Sequence, residues 1–288
     1  MDPALPSTIF HPMDPARIAE LLQPFVVRSR PPRPIPERPE PSAPSQFLHP
    51  EEVSSGEEFA GLTPALLKSI SIYIDVLLRW NARINLTAVR EEEEIVTRHF
   101  GESLFTALHL FPDPRVAFAG KPMAGRLRSA SDTLPREEPA HDLIDLGSGA
   151  GFPGVPIKMW APAIRVTLIE SNQKKATFLR EAIRALTLTD INVFSGRGEN
   201  FVGQARFVTL RAVERFDSVL PAAANLVAPA GCLALLLGGA QVDRACQLLP
   251  ALVWQDPVSV PFSSFVIRHL SFSLSLTHLG VAVVMRGP

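Results

Sequence analysis

The residues most able to do chemistry lie in Leu143-Ile-Asp-Leu-Gly-Ser-Gly-Ala-Gly-Phe-Pro-Gly154, an apolar run that enters a glycine-dense turn. Glycine adopts positive φ without a Cβ penalty and lets a ligand come close to the main chain. A helix that starts behind such a turn offers its first N–H groups to a ligand's carboxylate. Glu170 follows about 20 residues on, at the end of the next strand-like segment, where an acidic side chain can accept both hydroxyls of a ribose. This combination points to an adenosine-containing cofactor.

Two cofactors compete for the turn. Gly149-Ala-Gly-Phe-Pro-Gly154 fits the dinucleotide fingerprint, so a nicotinamide dinucleotide is one reading. Asp145, however, precedes the first glycine by two residues, and Gly147-Ser-Gly-Ala-Gly151 is denser than a dinucleotide turn requires. A carboxylate beside the ligand suits a cationic sulfonium with a free amino group better than a pyrophosphate. S-adenosyl-L-methionine is the expected cofactor, with Asp145, Gly147, Gly149, Gly151 and Glu170 as binding residues.

These residues need a sheet to hold them. From His141 the chain alternates strand and helix signals. The strand candidates are Asp142–Leu146, Arg165–Glu170, Ile191–Phe194, Phe207–Leu210 and Cys232–Leu237, with helical patterns at Gln173–Leu186 and Arg215–Val227. The alternation predicts an α/β class, Rossmann-like sheet with helices on both faces. Val258–Phe262, Ser271–Leu276 and Val281–Met285 are also strand-like, although two of them suffice to finish such a sheet.

Before the sheet, Thr63–Pro64 reads as a helix start, with proline at the first helical position. Leu66, Leu67, Ile70, Tyr73, Ile74, Leu77 and Trp80 then recur at helical spacing. A second amphipathic helix is predicted over Glu91–Leu110, after the polar connection Asn81–Arg90. Together they form an N-terminal helical cap over 61–111. Residues 1–60 are proline-rich and read as a disordered, partly polyproline tail or a ligand for a proline-recognising domain. Residues 112–140 read as a low-complexity surface insertion whose arginines could touch an RNA backbone. The methyltransferase-like domain fills 141–288.

The totals exclude some classes. A length of 288 residues with 46% hydrophobic content allows a sizeable core, and a net charge of −1 excludes a globally basic nucleic-acid binder but not a local basic face. Cys232 and Cys246 sit in apolar segments and read as buried thiols of a reducing cytosol, with no metal site expected. No signal peptide is expected. The apolar window Val219–Ala240 is broken by Pro221, Asn225, Pro229 and Gly231, as a buried helix–strand pair would be, not a membrane span.

Asn85-Leu-Thr-Ala-Val-Arg90, Arg98-His99, Gly147–Pro156, Arg197-Gly-Glu199 and Arg211-Ala212 occur in an order that resembles the RsmG (GidB) family, bacterial 16S ribosomal RNA guanine-N(7) methyltransferases. The resemblance runs from about Leu62 to Gly239. It implies that Gly147 and Phe152 line the cofactor site, that Gly198 and Glu199 contact the adenine side, and that Arg211 lies at the mouth. It implies a 16S rRNA or 30S-subunit partner and a cytoplasmic protein, expected to act as a monomer. The chain departs from the family's pattern at Glu102, where an Asp is usual, and at Arg206 and Leu210, where Asp and Ser are usual.

Guanine N(7) carries a lone pair and no proton, so its methylation requires placement and electrostatic tuning but no general base. No Ser-His-Asp, Cys-His or paired-carboxylate arrangement stands out in the sequence. Arginine suits guanine because its fork can engage O(6) or a phosphate while leaving N(7) free. Arg211 and His99 are the candidate catalytic residues. Arg211 could instead pair with Glu214 or Glu102, and His99 could anchor its helix. Asn85 is expected to tie down its loop. Lys174, Lys175, Arg180 and Arg184 form a basic helix face, solvated or RNA-facing, and Trp80, Tyr73 and Phe100 read as core. Two rivals are a methyltransferase for a small molecule or protein, and a non-catalytic cofactor-binding homologue.

Overall fold

The computed structural model describes residues 13–26, 61–112, 141–213, 215–250, 252–254, 258–261 and 279–285. The sheet has the strands β1 His141–Leu146, β2 Val166–Glu170, β3 Ile191–Ser195, β4 Ala205–Arg211, β5 Val227–Gly238, β6 Val253–Trp254, β7 Val258–Ser259 and β8 Leu279–Met285. Their order is β3-β2-β1-β4-β5-β8-β6, with β7 also paired to β8. β1 to β5 run parallel, whereas β8 is antiparallel to β5, β6 and β7. The chain direction across the sheet reverses between β1 and β4, and ligands of open α/β sheets bind at such a switch, outside the strands' carboxyl ends. A dinucleotide fold carries a parallel strand in the sixth position; here β8 is antiparallel, which removes the nicotinamide reading's structural support.

The five predicted parallel strands are present; β1, β2 and β3 differ from expectation by one residue at one end, and β4 and β5 are longer at both ends. β1 and β2 carry apolar side chains on both faces because helices cover both. On one face, Leu143, Val166, Leu168 and Phe207 join α2 (Pro64–Asn81), α5 (Gly154–Trp160) and α6 (Gln173–Ala185) in a common core. On the other, Ile144, Leu146, Val208 and Leu210 pack with Leu220 and Ala223 of α7 (Phe216–Asn225) and Ala245 of α8 (Gly239–Leu248). Of the tail strand candidates, Val258–Phe262 is reduced to β7, Val281–Met285 lies in β8, and Ser271–Leu276 is outside the described residues. The predicted insertion over 112–140 also lies outside them, apart from Pro112.

The N-terminal region differs from expectation. Within the predicted tail, Pro15–Val26 is a helix, α1, that buries Ile18, Leu21, Leu22, Phe25 and Val26. Asp14 opens it by accepting the Ala16 N–H at 3.1 Å, with Pro15 at the first helical position. The apolar spacing i, i+3, i+4, i+7, i+8 gives one continuous stripe, enough to offset the ordering cost that the surrounding prolines suggest is unmet. Proline content masked a helix whose signals are local and complete.

The predicted helix over 91–110 is compound. A short turn, α3 (Glu92–Glu94), passes into a π-helical segment, Ile95–Gly101, and then into α4 (Glu102–Leu110). Segments of this kind gather at functional sites because the wider turn re-aims side chains. Phe25 of α1 packs against Gly101, where a β-carbon would meet the ring at 2.7 Å. The first helix of the chain thus braces the segment that carries Arg98, His99 and, one residue beyond, Glu102.

Candidate functional site

A cavity of about 500 Å³ opens at the carboxyl ends of β1, β2 and β4, the size of a pocket for a small organic ligand. Gly147, Gly149, Phe152, Glu170, Gly198, Glu199, Arg211 and His99 all line it, which brings together eight of the ten sequence-derived site residues. The glycine turn works as expected at two positions. Gly147 has φ +72° and Gly149 φ +56°, and a β-carbon on Gly149 would meet nothing nearer than Gly147 O at 3.8 Å. Main chain therefore faces open space where a ligand can approach it.

Glu170 closes β2, with one carboxylate oxygen accepting the Gly149 N–H at 2.8 Å and the other accepting Asn172 N–H at 2.7 Å. These two amides fix the carboxylate's orientation and leave lone pairs on both oxygens. The fit to an adenosine-type ligand is therefore sound: open backbone at Gly149 and a clamped carboxylate share one nucleoside-sized space. Gly198 and Glu199 lie on a 3₁₀ turn, Gly198–Asn200, on the β3 side of the same cavity.

Asp145 and Gly151 do not line it, against expectation. Asp145 is 1% exposed and structural. One oxygen accepts from Thr209 Oγ1 at 2.8 Å across the β1–β4 pair, and the other accepts the Gly154 N–H at 3.2 Å. The N-terminus of α5 is thereby capped by the protein's own carboxylate and is not left open for a ligand. Burial pushes Asp145 up to about 6, although Thr209, Ser148 and Gly154 all work in the opposite direction. Gly151 (φ +82°) is a packing glycine, since a β-carbon there would collide with Tyr73 Oη and approach Val155 Cγ2 to 2.9 Å. Tyr73 is fully buried and donates its hydroxyl hydrogen bond to Ala150 O, which ties α2 to the turn.

The mouth is built around Arg211, the last residue of β4. Its Nη2 donates to Glu102 Oε2 at 2.6 Å, to Arg98 O at 3.0 Å and to His99 Nδ1 at 3.2 Å, and Nε donates to Glu102 Oε2 at 3.1 Å. Arg211 pairs with Glu102, one of the two partners expected for it, and also lines the cavity. The longer Glu102, where the family has Asp, reaches the guanidinium directly. Burial raises the Glu102 carboxyl, partly countered by Arg211, and with two N–H donors on one oxygen the carboxylate is the form that this geometry holds.

His99 is 8% exposed, stacks on Phe152 at 4.8 Å between centroids, and hydrogen-bonds Thr87 Oγ1 through Nε2 at 2.8 Å. Desolvation first, then Arg211 and Arg98, lower its titration to about 3. The ring is therefore neutral at physiological pH. A guanidinium only donates, so in the Arg211 contact Nδ1 is the acceptor and Nε2 carries the proton, donated to Thr87; Nη2 has two N–H groups for its three acceptors and shares one of them.

The loop between α2 and α3 is held by Asn81 and not by Asn85, which is exposed. Asn81 Oδ1 accepts the Leu86 and Thr87 N–H groups at 2.9 and 3.1 Å, and its Nδ2 donates to Thr87 O at 3.0 Å. Sequence reasoning missed Thr87, although it stands within the quoted Asn-Leu-Thr block. Of the basic face on α6, only Lys175 reaches the cavity. Leu210 points away from the site into the apolar cluster beneath α7, and Arg206 lies over the Phe207 ring at 5.5 Å, so neither departure alters the mouth. Tyr73, Phe100 and Phe152 pack edge to face in the core under it, and Trp80 packs edge to face on Phe178.

Among the described residues no helix is long and apolar enough to cross a membrane. The chain is 35% identical over 207 residues to the ribosomal RNA small subunit methyltransferase G of Stenotrophomonas maltophilia K279a, covering 70% of this chain and 84% of that one. It is 34% identical over 198 residues to the like-named protein of Xanthomonas euvesicatoria, at 68% and 80% coverage. The precorrin-6y C5,15-methyltransferase of Geobacter metallireducens shares 13% identity and a TM-score of 0.40 over 51% of this chain and 80% of that chain. The model of the GidB family, described as rRNA small subunit methyltransferase G, matches residues 66–117 and 129–270. This chain belongs to the GidB family.

Proposed function

We propose that the protein transfers a methyl group from S-adenosyl-L-methionine to N(7) of a guanosine in 16S rRNA. Gly147, Gly149, Phe152, Glu170, Gly198 and Glu199 would hold the cofactor. When bound, it supplies an electrophilic methyl group on a sulfonium. The observation that carries the reading is the fixed, neutral state of His99. Its Nδ1 accepts from Arg211 and its Nε2–H is given to Thr87, so neither nitrogen is free to take a proton. Glu102 is committed to Arg211, and Glu170 to two main-chain amides. A mouth arranged in this way suits a nucleophile that has no proton to lose.

Arg211 is the group that meets the target base. Its Nη1 makes none of the hydrogen bonds described above and would engage O(6) or the flanking phosphate, leaving N(7) uncovered. Methyl transfer leaves a positive charge on the base, and the paired Glu102 offsets that of the guanidinium beside it. The reading extends to a monomer working in the cytoplasm on 16S rRNA or the 30S subunit, supported by the small-subunit ribosomal RNA in the relatives' names. Phe152, stacked on His99, keeps water from the inner wall.

The test is methyl transfer to 30S subunits and to naked rRNA from a strain lacking the modification, with the product mapped by cleavage at 7-methylguanosine. Arg211→Ala should lower turnover by about a hundredfold. Wild-type turnover by that variant, or label at another atom, would overturn the assignment.

A further inference from the structure

We propose that Thr87 is a positioning residue of the methyl-transfer site, acting through His99 to set the direction in which Arg211 presents its free N–H groups. The proposal rests on the rRNA methyltransferase reading above and adds to it a residue of the cavity wall that reaches the guanidinium through His99.

The chain of contacts is continuous. Asn81 fixes the Thr87 main chain with two hydrogen bonds and its neighbour Leu86 with a third, and the Thr87 hydroxyl also accepts the Val89 N–H at 3.1 Å. The oxygen is thereby anchored where His99 Nε2 meets it at 2.8 Å. With Nε2–H donated there, the lone pair of Nδ1 faces Arg211 Nη2. The alternative tautomer would set an N–H of His99 against an N–H of Arg211, so the guanidinium would lose the ring as a partner and settle toward Glu102 and Arg98 O. Glu102 and Arg98 O are the other acceptors of the same Nη2. Thr87 is thus the acceptor that selects between two orientations of a side chain more than one contact away.

Thr87→Val keeps the shape and removes the hydroxyl, whereas Thr87→Ser keeps the hydroxyl. Three measurements read the proposal on the full chain: nitrogen-15 NMR of the His99 ring, calorimetry with S-adenosyl-L-methionine, and single-turnover methyl transfer to undermethylated 30S subunits. We expect wild-type His99 as the Nε2–H tautomer at pH 7. Thr87→Val should give a mixture of tautomers, a rate reduced about tenfold, and a cofactor dissociation constant changed by less than about twofold. Thr87→Ser should recover most of the rate and the single tautomer. The proposal is overturned if wild-type His99 is the Nδ1–H form or an imidazolium at pH 7, if Thr87→Val transfers at the wild-type rate, or if Ser is as impaired as Val. The wild-type NMR result requires no variant to fold. If the wild-type protein methylates no rRNA, the function reading fails, while the tautomer still decides the contact chain.

Discussion

Two glycines of one turn should respond in opposite ways to the same substitution. Gly149→Ala places a methyl group in open space, the nearest atom being Gly147 O at 3.8 Å. Its stability cost is the left-handed backbone alone, about 1–2 kcal/mol. Gly151→Ala carries that cost too, and its methyl group is driven against Val155 Cγ2 at 2.9 Å, Leu179 Cδ2 at 3.2 Å and the buried Tyr73 hydroxyl. Overpacking adds about 1–3 kcal/mol, and the lost Tyr73 hydrogen bond to Ala150 O about 1 kcal/mol more. The expected loss is about 3–6 kcal/mol, a large part of a typical domain's stability. Urea unfolding followed by tryptophan fluorescence measures both variants, and calorimetry gives their cofactor affinity. Gly149→Ala should keep most of its stability and lose at least about tenfold in affinity, because its methyl group enters the ligand's space. Gly151→Ala should unfold at far lower urea. Equal unfolding midpoints would show that Gly151 is not the packing residue its contacts describe.

Phe25→Ala should cost about 3–5 kcal/mol by thermal or chemical unfolding, since the ring is 3% exposed and braces Gly101; an unchanged midpoint would mean that α1 is not part of the fold. The two buried groups near the site predict opposing pH dependences. Asp145 is raised to about 6, so the folded state binds its proton more tightly than the unfolded chain, and its contribution to stability falls by about 2 kcal/mol as pH rises from 4 to 6. His99 is lowered to about 3, so its contribution is present above its unfolded value of 6.5 and is lost as pH falls toward 3. Asp145→Asn, whose amide can still accept from Gly154 and donate to Thr209, should therefore steepen the rise of stability between pH 4 and 6, as read by urea midpoints at several pH values. A flatter curve in that variant would contradict the sign.

Much of the framework was written in local patterns. Strands β1 to β5 announced themselves as apolar runs of strand length, and α2 by Thr63, Pro64 and its helical stripe, because those signals depend only on near neighbours. The position of β8 could not be read this way, since pairing across more than 40 residues of intervening chain leaves no trace in the spacing of Val281–Met285. α1 was legible and was overlooked: Asp14, Pro15 and the stripe from Ile18 to Val26 stand within a region dominated by proline. At the site, spacing located the turn but not which way each residue faces. Asp145 and Gly151 lie one or two residues from cavity-lining neighbours, yet one turns toward Thr209 and the other toward Tyr73. Asn81 was passed over for Asn85 because the loop's anchor lies at the end of the preceding helix, outside the recognisable block.

β8 lies between β5 and β6 although it follows both in the chain. During synthesis Val227–Gly238 leaves the ribosome well before the strand that will cover its outer edge exists. Until residues 279–285 arrive, β5 presents an uncovered row of N–H and C=O groups, a template for pairing with another nascent chain. The cofactor cavity, formed by strands made earlier, can take shape while that edge is still open. A message cut short before Leu279 would therefore yield a sticky half-finished sheet with a nearly complete ligand pocket, a product in which binding and solubility have come apart.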